Sequence, residues 1–199
     1  MRFLVGMLVL VVVGTAGAVE SVDVFGFLLE GSDGSAWDVV TSTSAAGEIV
    51  TVDLVLANPT LGGVTGWEAC VEVTGDLINP VWTLHGASVL PIPEQGDGCF
   101  QVGISPLMPV LPSPPGMYRL ATMTAVVPTP QSVAELRLYG MPGSTSFPDG
   151  VGYAGPDVGV LQAAGVVSAG AGGPAFIING EAPVATDTPS FSTLKTIYR

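Results

Sequence analysis

Few side chains in this chain of 199 residues have the chemistry of a catalytic centre. It has one histidine, His85, and two cysteines, Cys70 and Cys99. A hydrolytic triad needs a base beside a nucleophile and a His-rich zinc site needs several histidines, yet the chain has one histidine and neither the G-x-S-x-G nor the H-E-x-x-H motif. We therefore predict no catalytic residues and no enzymatic activity, with His85 as a surface residue at a strand end.

Paired carboxylates are the next chemistry to consider. Glu68 and Glu72 fall on one face of a predicted strand, and glycoside hydrolases use two such acids. Four residues of extended chain span ~13 Å, whereas the acids of a hydrolase lie ~5–9.5 Å apart. The two glutamates are therefore predicted to be part of a solvated strand face.

Calcium binding is indicated by composition more than by a motif. The chain carries 17 acidic and 5 basic side chains, for a net charge of -12, and calcium prefers carboxylate and carbonyl oxygens in loops. The weak candidates are Asp33 and Asp38 in one loop, and Glu94 and Asp97 in another. The first loop lacks the central ligands of a D-x-[DN]-x-[DN]-G site. Solubility is the alternative role of the acidity, and no cofactor or metal is predicted.

Aromatic side chains could form a platform for sugar rings. Trp37 lies in a polar stretch between two aspartates, and we predict that it is exposed, together with Tyr153. Trp67 and Trp82 share strand faces with aliphatic residues and are predicted to be core residues. A carbohydrate-binding module that uses the exposed aromatics is therefore one hypothesis.

The first residues have the pattern of a secretory signal peptide. Arg2 precedes an apolar run at residues 3–13, and Ala16, Gly17 and Ala18 form a small-residue cleavage site. A membrane span needs ~20 apolar residues, so the run is too short for that alternative. We predict cleavage after Ala18, secretion or retention at the cell surface, and no transmembrane span in the mature chain. The acidic balance excludes a basic nucleic-acid binder.

Alternation of apolar and polar residues recurs in short segments separated by Gly, Pro, Asn and Asp. This pattern is typical of antiparallel strands with one wet face. Strands are predicted at residues 22–29, 38–43, 49–57, 65–73, 81–85, 100–104, 118–127, 134–139, 159–161 and 175–179. Such a set predicts an all-β fold, a single antiparallel β-sandwich. The predicted organisation is a signal peptide (1–18), a sandwich domain (19–180) and a linker with a short C-terminal segment (181–199).

The alternation also assigns side chains to faces. Four aliphatic residues of 49–57 and four residues of 65–73 should face the core, which leaves the acidic residues of both strands outside because burying unpaired charge is costly. Cys70 and Cys99 both fall on outer faces. A disulfide requires Cα atoms within ~7 Å, so the pair should join neighbouring strands of one sheet. Two free thiols are the alternative.

Several segments resemble cohesin-like domains. The run GEIVTVDLVLAN at 47–58 followed by VTGWE at 64–68 is similar to their opening strand, asparagine turn and second strand. Residues 77–86 resemble their short strand ending in glycine, and MYRLATMT at 117–124 resembles their glycine-led L-A-T strand. The resemblance covers about residues 22–180. It implies a nine-stranded jelly-roll that binds another protein or packs in a cell-surface assembly.

The chain departs from that family in two places. The Tyr-Asp-Pro element that often follows the third strand is missing, and the pair Cys70 and Cys99 is not typical of the family. No partner-binding residues are therefore carried over from it.

The C-terminal segment has a pattern of its own. A linker rich in Pro and Thr ends at Pro189, and Ser190 can then cap a short helix with basic residues near its end. The predicted docking residues are Phe191, Leu194, Lys195, Ile197 and Tyr198. Nine residues are too few for a stable isolated helix, so it should order only when docked. A docking or sorting tag is one hypothesis and a frayed end is the other.

Together these observations predict a non-catalytic module at the cell surface that binds another protein or has a structural role. Its partner would be a protein or a surface assembly. The alternative is the carbohydrate-binding module that uses Trp37 and Tyr153, with a polysaccharide as its ligand.

Overall fold

The computed structural model describes residues 22–86, 88–91, 98–105, 110–113, 115–148, 150–157, 159–168 and 173–181. Within these ranges the protein is all-β and contains no helix. The strands are β1 (Val24–Leu29), β2 (Val40–Thr41), β3 (Glu48–Ala57), β4 (Gly66–Gly75), β5 (Ile78–Leu84), β6 (Ser88–Pro91), β7 (Cys99–Ile104), β8 (Met117–Val127), β9 (Ala134–Tyr139), β10 (Val151–Ala154), β11 (Leu161–Val166) and β12 (Phe176–Ile178). None of the described segments forms a helix with the length and apolar character needed to cross a membrane.

The twelve strands hydrogen-bond into one large mixed sheet. The pairing path is β2-β12-β9-β4-β10-β11-β1-β3-β8-β5. One edge of β4 pairs with β10 and then with β9, and the opposite edge pairs with β7, which in turn pairs with β6. The pairs β1 with β11 and β2 with β12 are parallel, and the other pairs are antiparallel. The prediction of an all-β chain is confirmed, and the purely antiparallel pairing predicted for it is wrong because of these two parallel pairs.

The long sheet bends back on itself around one hydrophobic core. Phe27 of β1 and Phe176 of β12 are buried in one hydrophobic cluster, although their strands do not pair. Their ring centroids are 6.1 Å apart. Trp82 of β5 likewise contacts Phe100 of β7, with centroids 5.4 Å apart. The strands near β5 therefore lie across the core from the strands around β4.

Period-two alternation in the sequence identified the part of this core that comes from β3 and β4. The aliphatic residues of β3 that were predicted to share one face are all buried in a single cluster. They are Val50, Val52, Leu54 and Leu56. Trp67, Ala69 and Val71 of β4 are buried in the same cluster, and Trp82 packs against it. The predicted placement of Trp67 in the core is confirmed, and Trp82 is partly buried against it.

The predicted disulfide is present between Cys70 and Cys99. The two residues are direct partners in the pairing of β4 with β7, so the bridge joins neighbouring strands of the sheet as expected. Cys70 is fully buried, although its position on β4 was predicted to be exposed. The strand β9 pairs along the other edge of β4 at this point, with Tyr139 directly opposite Cys70.

Two strands had no counterpart in the sequence pattern. The strand β10 has only four residues and includes a glycine, while β6 ends in a proline, so neither shows a clear alternation. A third difference is β11, which spans Leu161–Val166 where the sequence predicted residues 159–161. The predicted C-terminal helix lies outside the described residues.

Candidate functional site

Three neighbouring strands present an exposed surface on the side opposite the core. The order β3, β8, β5 aligns their outward residues in three rows across the strands. The rows are Ile49, Val126 and Ile78; Thr51, Thr124 and Val81; and Asp53, Thr122 and Thr83. We call these nine residues the outer face. Because side chains alternate along a strand, the aliphatic residues between them fill the core while these nine point away from it.

The outer face is apolar at one end and polar at the other. Its exposed aliphatic side chains are Ile49, Val81 and Ile78, with exposed fractions of 64%, 58% and 50%. Thr51 and Thr124 share the middle row with Val81, and the last row consists of Asp53, Thr122 and Thr83. Single exposed aliphatic residues are common on proteins, but a contiguous group on a sheet is typical of an interaction surface.

A connected set of polar side chains lies at the polar end of the face. Asp53 is 2% exposed, although its position was predicted to be outside. One carboxylate oxygen accepts a hydrogen bond from the hydroxyl of Thr122 at 2.5 Å, and the other lies 3.2 Å from a guanidinium nitrogen of Arg119. Nε2 of His85 lies 2.7 Å from the same Thr122 hydroxyl. We call these four residues the Asp53 network.

A β-bulge brings Arg119 to this side of the sheet. The register between β3 and β8 shifts between Leu54 and Val55. As a result Leu120 and Ala121, which are consecutive, are both buried in the core. In a regular strand Arg119 would share the core side with Ala121, and the bulge instead directs it toward Asp53. The sequence carries no local signal for this bulge, so the ion pair was not predicted.

The Asp53 network has the geometry of a structural hydrogen-bond network between strands. The Thr122 hydroxyl donates to the carboxylate of Asp53, so its oxygen accepts from His85, whose Nε2 then carries the proton. His85 is placed as a donor to Thr122 and not as a base that withdraws its proton. The arrangement lacks the nucleophile and base of a hydrolytic triad, which requires the opposite polarity.

Tyr153 was predicted to be part of an exposed aromatic platform, and this prediction is wrong. The side chain is fully buried. Its hydroxyl donates to the carboxylate of Asp23 at 2.5 Å and accepts from the amide of Leu61 at 3.2 Å. The Asp23 carboxylate also accepts from the amide and hydroxyl of Thr60, at 2.8 and 2.7 Å. These contacts join the start of β1, the turn after β3 and β10.

These contacts shift the pKa values of Asp23 and Tyr153. Burial raises the pKa of Asp23, but the hydrogen bonds from Tyr153 and Thr60 outweigh it, so the pKa lies below its ordinary value. Burial and then the hydrogen bond to Asp23 raise the pKa of Tyr153 above its ordinary value. The depressed carboxyl pKa contributes stability above about pH 4 that is lost as pH falls through the folded pKa. The raised phenol pKa contributes stability below about pH 10 that is lost as pH rises.

Tyr153→Phe should therefore lower the free energy of unfolding by about 1–2 kcal/mol at pH 7, since Asp23 and the Leu61 amide each lose a partner. Urea unfolding at several pH values tests this. The decline in stability below about pH 4 should be smaller in the variant, because the pKa of Asp23 moves toward its unfolded value. The control is Tyr139→Phe, at a site that is 40% exposed, where little change is expected. An identical acid decline in both variants would contradict the role assigned to Asp23.

Trp37 is half-buried and is not a free platform. It packs over a small cluster on the outer side of β1, β3 and β8. The cluster consists of Leu28, Val55, Ala57 and Met117. A Cβ on Gly26 would lie only 2.5 Å from the Trp37 ring, so the ring rests directly on the glycine backbone. The indole nitrogen is buried without a hydrogen-bond partner.

The Trp37 ring should be displaced by a single methyl group at Gly26. Gly26→Ala is expected to lower the free energy of unfolding by about 1–3 kcal/mol, because the ring must leave its cluster. Chemical denaturation measures the loss. Gly103→Ala is the matched control in another strand, since a Cβ there meets nothing within 4 Å. Equal stability of the two variants would show that Trp37 does not cover Gly26.

The calcium candidates do not converge in the described part of the chain. A carboxylate oxygen of Asp33 accepts a hydrogen bond from the amide of Ser35 at 2.9 Å, and Ser35 lowers the pKa of this carboxyl. Asp38 accepts from the amide of Leu29 at 2.8 Å. The described residues contain no group of three or more His, Cys, Asp or Glu side chains able to hold a metal ion. Glu94 and Asp97 lie outside the described residues.

The two glutamates of β4 differ in environment. Glu72 is exposed, as predicted, but Glu68 is 2% exposed and the prediction of a solvated pair is wrong for it. One Glu68 oxygen accepts a hydrogen bond from Gln101 at 3.1 Å, and the other is buried without a partner. Its pairing neighbour is Gly152, and Phe147 lies over that glycine and covers this part of the sheet. Alternation assigned the face correctly and could not show the covering loop.

Among the described residues, two shallow grooves lie beside the sheet. The first, of about 280 Å³, lies between the segment after β2 and the start of β3. It is lined by Glu30, Thr43, Glu48, Ile49 and Thr51, among others, and we call it the hydroxyl groove. The second, of about 340 Å³, is lined by Glu72, Arg137, Tyr139 and Val166, among others. The hydroxyl groove adjoins the outer face, because Ile49 and Thr51 belong to both.

The predicted docking residues of the C-terminal segment, from Phe191 to Tyr198, lie outside the described residues. The chain matches no protein-family model, and comparisons with curated proteins and with solved structures return no match.

Proposed function

We propose that this protein is a non-catalytic, secreted or cell-surface module that binds another protein through its outer face. The cohesin-like sequence pattern and the bent sheet around a single core support a β-sandwich of the jelly-roll type as its scaffold. The signal-peptide pattern of the first residues supports export.

The observation that carries this proposal is the exposed aliphatic group of the outer face. Ile49, Ile78 and Val81 are each at least half exposed. Ile49 and Ile78 flank Val126 from its two sides, and Val81 follows on β5, so the four aliphatic side chains form one group. Apolar surface gains about 25 cal/mol per Å² when it is removed from water, so a partner that covers this group gains affinity there. The face is held on paired strands with a packed core beneath it, which suits a rigid docking surface.

Charge defines the partner further. The described residues contain two arginines and no lysine, and each arginine pairs with a carboxylate. These pairs are Arg119 with Asp53 and Arg137 with Glu135. With 17 acidic and 5 basic residues in the whole chain, the surrounding surface favours a partner with aliphatic contacts and a basic rim.

The test is quantitative capture of a partner from the medium and surface extracts of the producing cells. Val81→Arg should abolish the capture of a partner that the unmodified chain retains. Leu161→Arg is the matched control, since Leu161 is 50% exposed on β11 and Val81 is 58% exposed on β5. A partner lost equally in both variants, or in neither, would contradict docking on the outer face.

A glycan array tests the alternative of a carbohydrate-binding module. The buried Tyr153 and the half-buried Trp37 do not form a paired platform, so we expect no signal from the unmodified chain. A glycan signal that disappears in Trp37→Ala would replace the protein-binding proposal with the carbohydrate one.

A further inference from the structure

We propose that the C-terminal segment of this same chain, residues 190–199, docks on the outer face as a short helix. This inference rests on the proposed function, because it names a regulator of the same surface. It follows from the dimensions of the face, the chemistry of the segment and the place where the described chain ends.

The dimensions of the outer face suit one short helix. From Ile49 to Asp53 the face extends four residues along β3, or ~13 Å, and across the three strands it spans two strand spacings, or ~10 Å. Nine residues of α-helix are ~13 Å long and the helix is ~10 Å wide.

The segment has side chains complementary to this face. At helical spacing Phe191, Leu194, Ile197 and Tyr198 fall on one side. Lys195 borders that side and is the only lysine of the chain. The two described arginines are already in ion pairs, so Lys195 and Arg199 are positive charges available to an otherwise acidic surface. Helices this short are unstable alone, so an apolar docking surface is the condition for this one to form.

The described chain ends beside the groove that leads to the outer face. Asn179, just after β12, accepts a hydrogen bond from the amide of Thr43 at 2.6 Å. Thr43 lines the hydroxyl groove together with Ile49 and Thr51. Residues 182–189 separate the end of the described chain, at residue 181, from Ser190. Eight residues in the extended conformation favoured by proline span ~25 Å. The linker is therefore long enough for residues 190–199 to reach the face in the same molecule.

Docking of the segment would cover the aliphatic residues that the proposed partner contacts. The partner and the segment then compete for one surface. Leu194→Asp should weaken docking of the segment and increase capture of the partner.

Zero-length carbodiimide cross-linking of the full chain tests the proposal without any partner. The single lysine makes the result simple, because every amide formed with a lysine amine reports the position of Lys195. We expect amides within one molecule to Glu30 or Glu48 of the hydroxyl groove. The exposed carboxylates Glu72 and Asp157 lie on other parts of the sheet and serve as internal controls. Peptide mass spectrometry identifies and quantifies each product.

Matched variants complete the test. Leu194→Asp and Val81→Arg should each reduce the yield of these amides by about tenfold, the loss expected when one buried aliphatic contact is replaced by a charge. Thr196→Asp, on the opposite side of the helix, and Leu161→Arg, on β11, should leave the yield unchanged. The proposal is overturned if Glu72 and Asp157 react as readily as the groove carboxylates, if the products join only two molecules, or if the four variants behave alike.

The outcomes also separate this inference from the proposed function. Specific cross-links without partner capture by any variant would support the docked tail and reject the protein-binding role. Capture that depends on Val81, together with unspecific cross-links, would support the role and reject the docked tail.

Discussion

Arg119→Met should lower the free energy of unfolding by about 3 kcal/mol. The guanidinium lies 3.2 Å from a carboxylate oxygen of Asp53, whose side chain is 3% exposed. Removing one partner of a buried ion pair leaves an uncompensated charge, which costs about 3–5 kcal/mol, and the partial exposure of Arg119 places this pair at the lower end. Urea unfolding at pH 7 measures the loss.

The second ion pair of the described residues provides the control. Arg137 lies 2.9 Å from Glu135, but the two side chains are 43% and 34% exposed. Exposed pairs contribute about 0–1 kcal/mol, so Arg137→Met should have a small effect. Asp53→Asn added to Arg119→Met should restore part of the stability, because the amide oxygen can still accept from Thr122 without a buried charge. Equal losses from Arg119→Met and Arg137→Met would show that burial of Asp53 does not matter.

Replacing both cysteines with alanine is expected to lower the free energy of unfolding by about 3–4 kcal/mol. The bridge closes a loop with a sequence separation of 29, and the chain-entropy model assigns this magnitude to such a loop. Unfolding of the oxidised protein and of Cys70→Ala with Cys99→Ala, without reductant, gives the difference.

Adding a reductant separates the effect of the bridge from that of the substitution. The oxidised protein should lose about as much stability on reduction as the double variant loses by mutation, while the variant itself should not respond. A loss below about 1 kcal/mol in the double variant would mean that the bridge constrains the unfolded chain far less than its loop length implies.

The sequence allowed prediction of the features that depend on local alternation. The core residues of β3 and β4 were predicted because every second residue of a strand faces the same way. The same argument placed Cys70 and Cys99 on one side of neighbouring strands, and the bridge is there. The pattern could predict these features because each depends on one strand and its immediate neighbour.

Features that depend on distant segments could not be predicted. Glu68 is buried because Phe147 covers the neighbouring Gly152, and these residues lie far along the chain from β4. Asp53 is buried because a bulge in β8 directs Arg119 toward it. The alternation pattern around Tyr153 gives no indication of its hydrogen bond with Asp23. In each case a charged or aromatic residue was predicted to be exposed because the local pattern does not include the residue that covers it or pairs with it.

The candidate site could not be predicted from the sequence for the same reason. The exposed aliphatic residues of the outer face come from three strands that are separate in sequence, and only the pairing of β8 with both β3 and β5 makes them neighbours. Alternation predicted that Thr51 would face outward. It could not predict that Ile49, Ile78 and Val81 form a contiguous group, since the order of the strands in the sheet decides this.

Docking of a partner protein on the outer face is tested most directly by site-specific photo-cross-linking. A photoreactive side chain replaces Val81 in one chain and Leu161 in another, both expressed in the producing cells, in the unmodified and the Leu194→Asp backgrounds. We expect a covalent adduct with one second polypeptide from position 81, with a higher yield in Leu194→Asp, and none from position 161. An equal set of adducts from both positions, or none from position 81 in either background, would contradict the account.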